Sequence, residues 1–166
     1  MRSPNAPVSS NSPASTILVV ENLSCDRVRY CRDLLADTSS CYTVLEASSA
    51  ADAILKCKRH PVDAILVSDT LPDANELDFL QLLQAEFNQK YPPVVIVARE
   101  NAAAISAEVA VQHAVRAIKL GAEHYLVKST LTAEQLQLAT QDALKTARSR
   151  LRSPQQEEIS HLRQLN

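Results

Sequence analysis

Short runs of apolar, mostly β-branched residues alternate along the chain with longer segments of helical periodicity. The runs lie at 17–20, 42–45, 64–67, 94–97 and 125–127. They are too short for helices, and their continuous apolar character is typical of strands that are buried on both faces. A helical segment follows each run, so the chain is predicted to be α/β, with a doubly wound parallel sheet. An eight-stranded barrel would need about 250 residues, far more than this chain provides.

Capping signals predict where several helices begin or end. Ser49 followed by Asp52, and Thr132 followed by Gln135, have the spacing of a capping box. Gly121 is the only glycine in the chain. It is predicted to follow directly on the end of a helix, where glycine adopts a positive φ at little cost.

Other boundaries are predicted from periodicity alone. Ser24 is predicted to cap the first helix, whose predicted inner face consists of Val28, Cys31, Leu34 and Leu35. The fourth helix is predicted over 102–120, and Pro154 is predicted to interrupt the last one.

Composition predicts the domain limits and excludes some functions. Residues 1–15 contain three prolines and five serines without an apolar stretch, so they are predicted to be a disordered tail and not a signal peptide. The folded domain is predicted at 16–148, followed by a helical tail or linker at 149–166. No apolar run could cross a membrane, which predicts a cytoplasmic protein. A net charge of −2 with mixed signs provides no broad basic field for nucleic acid.

Charged and polar residues follow three of the predicted strands. Glu21 and Asn22 follow the first strand, Asp69 the third and Lys128 the fifth. Open parallel sheets bind ligands at the carboxyl ends of their strands, so these side chains are expected to converge. Carboxylate and amide oxygens suit a hard divalent cation, and a lysine suits a phosphoryl group. The plainer alternative is a structural salt bridge between Lys128 and Asp69.

Three segments resemble the signature segments of the response-regulator receiver family of two-component signalling. They lie at 17–22, 63–73 and 121–128, in the family's order, and the resemblance covers about residues 16–148. The layout is also similar to receivers of cyanobacterial regulators and sensor kinases. The resemblance implies a flavodoxin-like (βα)5 fold with strand order 2-1-3-4-5. It also implies phosphoryl transfer from a histidine kinase or a phosphotransfer protein.

The resemblance further implies roles for individual residues. Asp69 is implied as the phosphoacceptor, Lys128 as the residue that binds the phosphoryl group, and Tyr125 as the aromatic residue that turns inward on activation. The implied magnesium ligands are Glu21, Asn22, Asp69 and the backbone carbonyl of Leu71.

Four positions depart from the family pattern. Asn22 replaces the usual second acid, so Mg²⁺ is expected to bind weakly. Ala98 lies at the switch position, where the family has Ser or Thr. Ser106 has about the usual spacing to the fifth strand, but Ala98 directly follows the fourth strand, which favours an expanded loop. Glu76 replaces a glycine, and Ser129 replaces a proline that is often preceded by a cis bond.

Two main functions remain open at this stage. The chain is predicted to be a receiver that accepts a phosphoryl group on Asp69 and does not turn over a small substrate. The alternative is a pseudo-receiver that acts as a phosphorylation-independent interaction or dimerisation module, with which a homodimer is compatible. An unrelated doubly wound nucleotide enzyme is disfavoured, because the chain has no glycine-rich loop.

Overall fold

A computed structural model describes residues 13–99 and 106–163, with side-chain surroundings described as far as residue 150. Five parallel strands form one sheet in the order β2-β1-β3-β4-β5. The predicted doubly wound sheet and its strand order are confirmed. The strands are Ser15–Val20 (β1), Tyr42–Ala47 (β2), Ala64–Ser68 (β3), Val94–Ala98 (β4) and His124–Val127 (β5).

The helices cover both faces of this sheet. Successive residues of a strand point to opposite faces, so Ile17 and Val19 pack beneath α1 and α5, whereas Leu18 and Val20 pack on the α2 and α3 side. A short 3-10 turn, Lys128–Thr130, joins β5 to α5. The helices are Ser24–Leu35 (α1), Ala50–Arg59 (α2), Glu76–Phe87 (α3), Ala107–Lys119 (α4) and Ala133–Arg163 (α5).

The capping predictions are confirmed for α2, α4 and α5. The Ser49 hydroxyl accepts a hydrogen bond from the Asp52 amide at 3.1 Å. Thr132 and Gln135 form a reciprocal box, in which each side chain accepts from the other's backbone N–H, at 3.1 and 3.2 Å. Gly121 follows the last residues of α4 with φ +109°.

The predicted inner face of α1 is confirmed for Leu34 and Cys31, which pack in the core, and wrong for Val28 and Leu35. Val28 and Leu35 are 63% and 61% exposed, and the buried apolar residues of this helix are Tyr30 and Leu34. The helix sequence mixes arginines with apolar residues, so its periodicity is ambiguous. The large Tyr30 ring fills the space beneath the sheet, and burial of that area determines how the helix is rotated.

Two helix boundaries also differ from the prediction. Helix α4 begins at Ala107, and residues 102–105 of the predicted helix lie outside the described residues. Helix α5 continues through Pro154. An interior proline costs about 3 kcal/mol and can kink a helix without ending it, and the Gln-Gln-Glu-Glu run at 155–158 favours helix on the far side.

The chain termini bear on two further predictions. The predicted tail at 1–15 lies largely outside the described residues, and Ser15 is the first residue of β1. The predicted domain boundary at 149 stays a prediction. None of the described helices is long and apolar enough to cross a membrane.

Candidate functional site

The candidate site lies where four strands end together. The parallel register aligns the carboxyl ends of β1, β3, β4 and β5, so the residues that follow them share one edge of the sheet. The aligned pairs are Val20 with Val67, Ser68 with Val97, and Ala98 with Val127.

Asp69 is held in a defined orientation at this edge. Its backbone N–H donates to the Val97 carbonyl at 3.1 Å. Its Oδ2 accepts a hydrogen bond from the Arg99 backbone N–H at 3.0 Å, and Arg99 Nε lies 3.9 Å from Oδ1. The Thr70 hydroxyl lies 3.3 Å from Oδ1. The side chain is 18% exposed, so the carboxylate is both oriented and accessible to a reactant. The part played by Arg99 was not predicted from the sequence.

Lys128 forms an ion pair with Asp26, in the first turn of α1, and not with Asp69. The salt bridge between Lys128 and Asp69 that the sequence left open as an alternative is not among the ion pairs of the described residues. Sequence analysis missed Asp26. Its direction depends on the rotation of α1, for which the mixed arginine and apolar sequence gives only an ambiguous periodicity.

Glu21 is the most deeply buried acid of the site, at 1% exposure. Its Oε1 accepts a hydrogen bond from the Leu23 backbone N–H at 2.9 Å. Leu23 is the N-cap residue of α1 and contributes no side-chain cap, so the prediction that Ser24 caps this helix is wrong. The Glu21 carboxylate thus accepts from the N–H of the N-cap residue, from a position before the helix.

The second carboxylate oxygen of Glu21 lacks a hydrogen-bond donor among the described residues. Oε2 is buried and has no hydrogen-bond partner among the described residues. A buried carboxylate oxygen without a donor is costly, and a hard cation would satisfy it. The described residues contain no group of three or more His, Cys, Asp and Glu side chains that could hold a metal ion. Two acids, Glu21 and Asp69, would therefore need neutral oxygen donors beside them.

The neutral oxygen donors implied by the resemblance occupy different environments. Asn22 is exposed directly after β1 and can reach toward solvent or a ligand. Leu71 is buried, and its backbone N–H donates to the Ala74 carbonyl at 3.0 Å, within the turn that follows Asp69. This hydrogen bond uses the N–H of Leu71 and not its carbonyl.

The carboxylates of the site affect the pKa of two tyrosines. Tyr30 is buried, and its hydroxyl has no hydrogen-bond partner in the described part of the chain. Burial, followed by the Glu21 and Asp26 carboxylates, raises the pKa of Tyr30 far above its ordinary value. Burial, followed by the charges of Glu76 and Asp69, raises the pKa of Tyr125 to about 12. Both phenols therefore remain protonated donors at neutral pH.

Glu76 is a second buried acid close to the site. It is the first residue of α3, where the Asn75 side chain caps the helix, and it has an ordinary negative φ, so no glycine geometry is required there. Its Oε1 lies 2.9 Å from Nδ1 of His113 on α4, in a contact that lacks hydrogen-bond alignment. Burial raises the pKa of Glu76, and a backbone N–H donor and the nearby His113 ring only partly offset this effect.

The two candidate switch positions differ in environment. Ala98 is buried and is the last residue of β4. Ser106 is exposed at the N-cap of α4, where its hydroxyl makes no capping hydrogen bond. Lys128 and Ser129 lie in the 3-10 turn after β5, and no cis peptide bond occurs in the described residues.

Comparison with known proteins gives a consistent result. A family model described as the response regulator receiver domain matches residues 17–141. No curated protein sequence matches the chain.

Several solved structures share the fold. The signal receiver domain of a putative Luxo repressor protein from Vibrio parahaemolyticus is 23% identical, with a TM-score of 0.68 over 83% of this chain and 95% of that one. A response regulator receiver domain from Clostridium thermocellum is 24% identical, with a TM-score of 0.65 over 82% and 98%. The receiver domain of NtrX from Brucella abortus is 21% identical, with a TM-score of 0.65 over 78% and 98%. At these identities the solved structures show the fold alone.

Proposed function

Because this chain belongs to the response regulator receiver family, we propose that it accepts a phosphoryl group on Asp69 from a histidine kinase or a phosphotransfer protein. The observation that carries the proposal is the Asp69 carboxylate itself, which is partly exposed at the end of β3 and oriented by the Arg99 backbone N–H. The buried carboxylate of Glu21 lies at the same edge of the sheet. In this function the domain is modified once per signal and does not turn over a small substrate.

The chemistry is a transfer between two protein side chains. An oxygen of Asp69 attacks the phosphorus of a phosphohistidine, the O–P bond forms as the N–P bond breaks, and the imidazole takes the electron pair of the broken bond. Lys128 would neutralise charge on the phosphoryl oxygens.

Magnesium fits the oxygen donors at this edge of the sheet. The orphaned Oε2 of Glu21 is the observation that favours it. Glu21, Asn22, Asp69 and the Leu71 carbonyl would hold the ion, which supplies positive charge to the transferring phosphoryl group. Two charged ligands bind a hard cation less tightly than three, so weak binding is expected.

Ala98 limits how far phosphorylation can move the rest of the domain. Its methyl group cannot hydrogen-bond a phosphoryl group, and the Ser106 hydroxyl is exposed at the start of α4. A ligand shifts a conformational equilibrium only by its differential affinity for the two states. Tyr125 is therefore expected to move little on phosphorylation.

A second candidate function is a phosphorylation-independent interaction module. The observation that favours it is the surface of α4, where four apolar side chains are about half exposed: Val109, Val111, Val115 and Ile118. Such a surface suits a partner protein or a second copy of the chain, and a homodimer would bury it.

Labelling by a small phosphodonor tests the leading proposal. Wild type incubated with acetyl phosphate and Mg²⁺ is expected to gain the mass of one phosphoryl group, and Asp69→Asn is expected to gain none. Asp63→Asn is a matched control, because Asp63 lies just before the opposite end of the same strand and its carboxylate accepts a hydrogen bond from the Thr16 backbone N–H at 2.7 Å. Equal labelling of wild type and Asp69→Asn would reject Asp69 as the acceptor. A wild type that stays unlabelled would favour the interaction module.

A further inference from the structure

The two side chains that the proposed reaction needs, Lys128 and Asp69, are each bound to other groups in the structure. Lys128 is paired with Asp26 on α1. Asp69 accepts from the Arg99 backbone N–H at 3.0 Å and has the Arg99 guanidinium at 3.9 Å. The lysine expected to serve the phosphoryl group is thus bound to a different carboxylate before any phosphoryl group arrives.

The pair between Lys128 and Asp26 is well protected from solvent. The two side chains are 17% and 18% exposed. An ion pair at this depth is screened by water and salt much less than one on the open surface. Both groups also lie at the ends of short, defined elements, the 3-10 turn after β5 and the first turn of α1.

Asp26 has no replacement partner among the described residues. The two arginines that follow it in α1 are committed to other groups. Arg27 bonds the Glu46 carboxylate at 3.1 Å and the Glu21 backbone carbonyl at 2.7 Å. Arg29 donates to the Leu131 backbone carbonyl at 2.7 Å. If Lys128 left, Asp26 would be a partly buried carboxylate close to the other acids of the site, which is unfavourable.

We propose that Asp26 competes with the phosphoryl group for Lys128 and thereby sets how readily Asp69 is phosphorylated. The inference rests on the proposed function of Asp69. A phosphoryl group on Asp69 carries between about −1.5 and −2 of charge at neutral pH, against −1 on the Asp26 carboxylate, so at an equal distance it attracts Lys128 at least as strongly. Asp26 acts through Lys128 and does not touch the reacting atoms, so it is a positioning residue.

The test measures initial rates of labelling by acetyl phosphate with Mg²⁺ in four proteins: wild type, Asp26→Asn, Lys128→Gln and the double variant. Asp26→Asn is expected to be labelled about three- to tenfold faster than wild type, the range that a partly buried ion pair supports. In the Lys128→Gln background the same Asp26 substitution is expected to leave the rate unchanged. A structural role alone would not produce this dependence on Lys128.

A matched control separates the pair from helix effects. Asp52 lies in the first turn of α2 and pairs with Lys56 at 3.1 Å. Asp52→Asn therefore also removes an ion pair and a negative charge from the first turn of a helix, although this pair is more exposed. It is expected to be labelled at the wild-type rate. Asp26→Ser is a second neutral variant that should be labelled as fast as Asp26→Asn, so the test does not depend on the folding of one variant.

Each outcome bears on a different proposal. Labelling of wild type and Asp26→Asn at equal rates, both dependent on Asp69, would overturn the competition and leave the proposed function intact. A rate increase that persists in Lys128→Gln would also overturn it, because the effect would then be one of overall charge. Faster labelling of Asp26→Asn than of wild type, with the increase lost in the Lys128→Gln background, would support both proposals. Labelling of neither protein would overturn both.

Discussion

Asp73 stabilises the start of a helix that lies far from it in sequence. Its Oδ1 accepts a hydrogen bond from the Ala50 backbone N–H at 2.8 Å, and its Oδ2 accepts one from the Ala51 N–H at 3.0 Å. The Ser49 side chain satisfies the next free N–H, that of Asp52. The first turn of α2 is therefore capped from two places, one of them the loop that follows Asp69.

Replacement of Asp73 by alanine removes both acceptors and a negative charge from the helix N-terminus. Loss of a capping side chain costs about 1 kcal/mol, and loss of the charge-dipole interaction costs roughly 0.5 kcal/mol more. We expect Asp73→Ala to lower the free energy of unfolding by about 1.5 kcal/mol, or Tm by roughly 5 °C. Asp73→Asn keeps one acceptor oxygen and should lose about half as much.

The effect should depend on pH in a defined direction. Burial alone would raise the pKa of Asp73, but the backbone N–H donors of Ala51 and Ala50 outweigh it and hold the pKa below its ordinary value of 3.8. A carboxyl whose pKa is lowered in the folded state stabilises the fold above its ordinary pKa and loses that contribution as the pH falls through the folded value. The difference between wild type and Asp73→Ala should be full at pH 6 and shrink below about pH 4.

Urea denaturation followed by circular dichroism measures these differences. Ser49→Ala is the matched control, because it removes the other cap of the same helix and should cost about 1 kcal/mol at every pH tested. If Asp73→Ala matched wild type within about 0.3 kcal/mol while Ser49→Ala was destabilised, the cap from Asp73 would be energetically irrelevant. The reasoning from its two hydrogen bonds would then be refuted.

Three further substitutions test other parts of the structure. Gly121→Ala should lower stability by about 2 kcal/mol or more, because an L-residue is strained at φ +109° and the new Cβ would lie 2.6 Å from the Tyr91 hydroxyl oxygen. In a Tyr91→Phe background the same substitution should cost less stability, because the clash with the hydroxyl is removed and the backbone strain remains. Urea melts in which stability recovers completely would contradict the strain. Glu76→Gln should have a higher Tm than wild type at pH 7.5 and the same Tm near pH 4. The reason is that burial raises the pKa of Glu76, so its ionised form destabilises the fold. Equal differences at both pH values would contradict this. Ala98→Thr should enlarge the amide shifts of β5 on addition of beryllofluoride and Mg²⁺, and unchanged shifts would remove Ala98 from the switch.

The elements that could be predicted from sequence are those whose signal is local. A continuous apolar run such as 64–67 predicts a strand buried on both faces, and five such runs with intervening helices leave few arrangements of a parallel sheet. Capping boxes are equally local, so Thr132 and Gln135 were correctly paired. The acids and the lysine at the strand ends follow from the same logic.

The partner of Lys128 could not be predicted, because it depends on the rotation of α1. Asp26, Tyr30 and Leu34 are spaced four residues apart and share one face of this helix. The predicted face was centred between Val28 and Cys31 and included Leu34 only at its edge, and on that rotation Asp26 points elsewhere. Burial of the Tyr30 ring determines the rotation, and it is a property of the packed structure and not of the local sequence pattern.

The length of α5 affects how a small change at the site would be felt elsewhere. The helix has 31 residues and starts directly after the turn that holds Lys128. Leu144 is its last buried residue among those whose surroundings are described, and the helix then continues to Arg163, roughly 28 Å farther at 1.5 Å per residue. A rotation of about 5° at the packed part would displace the far end by roughly 2–3 Å. If Lys128 leaves Asp26 and the turn shifts slightly, the far end of α5 would move by much more than the turn itself. The helix would thus act as a lever arm, and a displacement too small to break a contact within the domain would be enlarged at its far end.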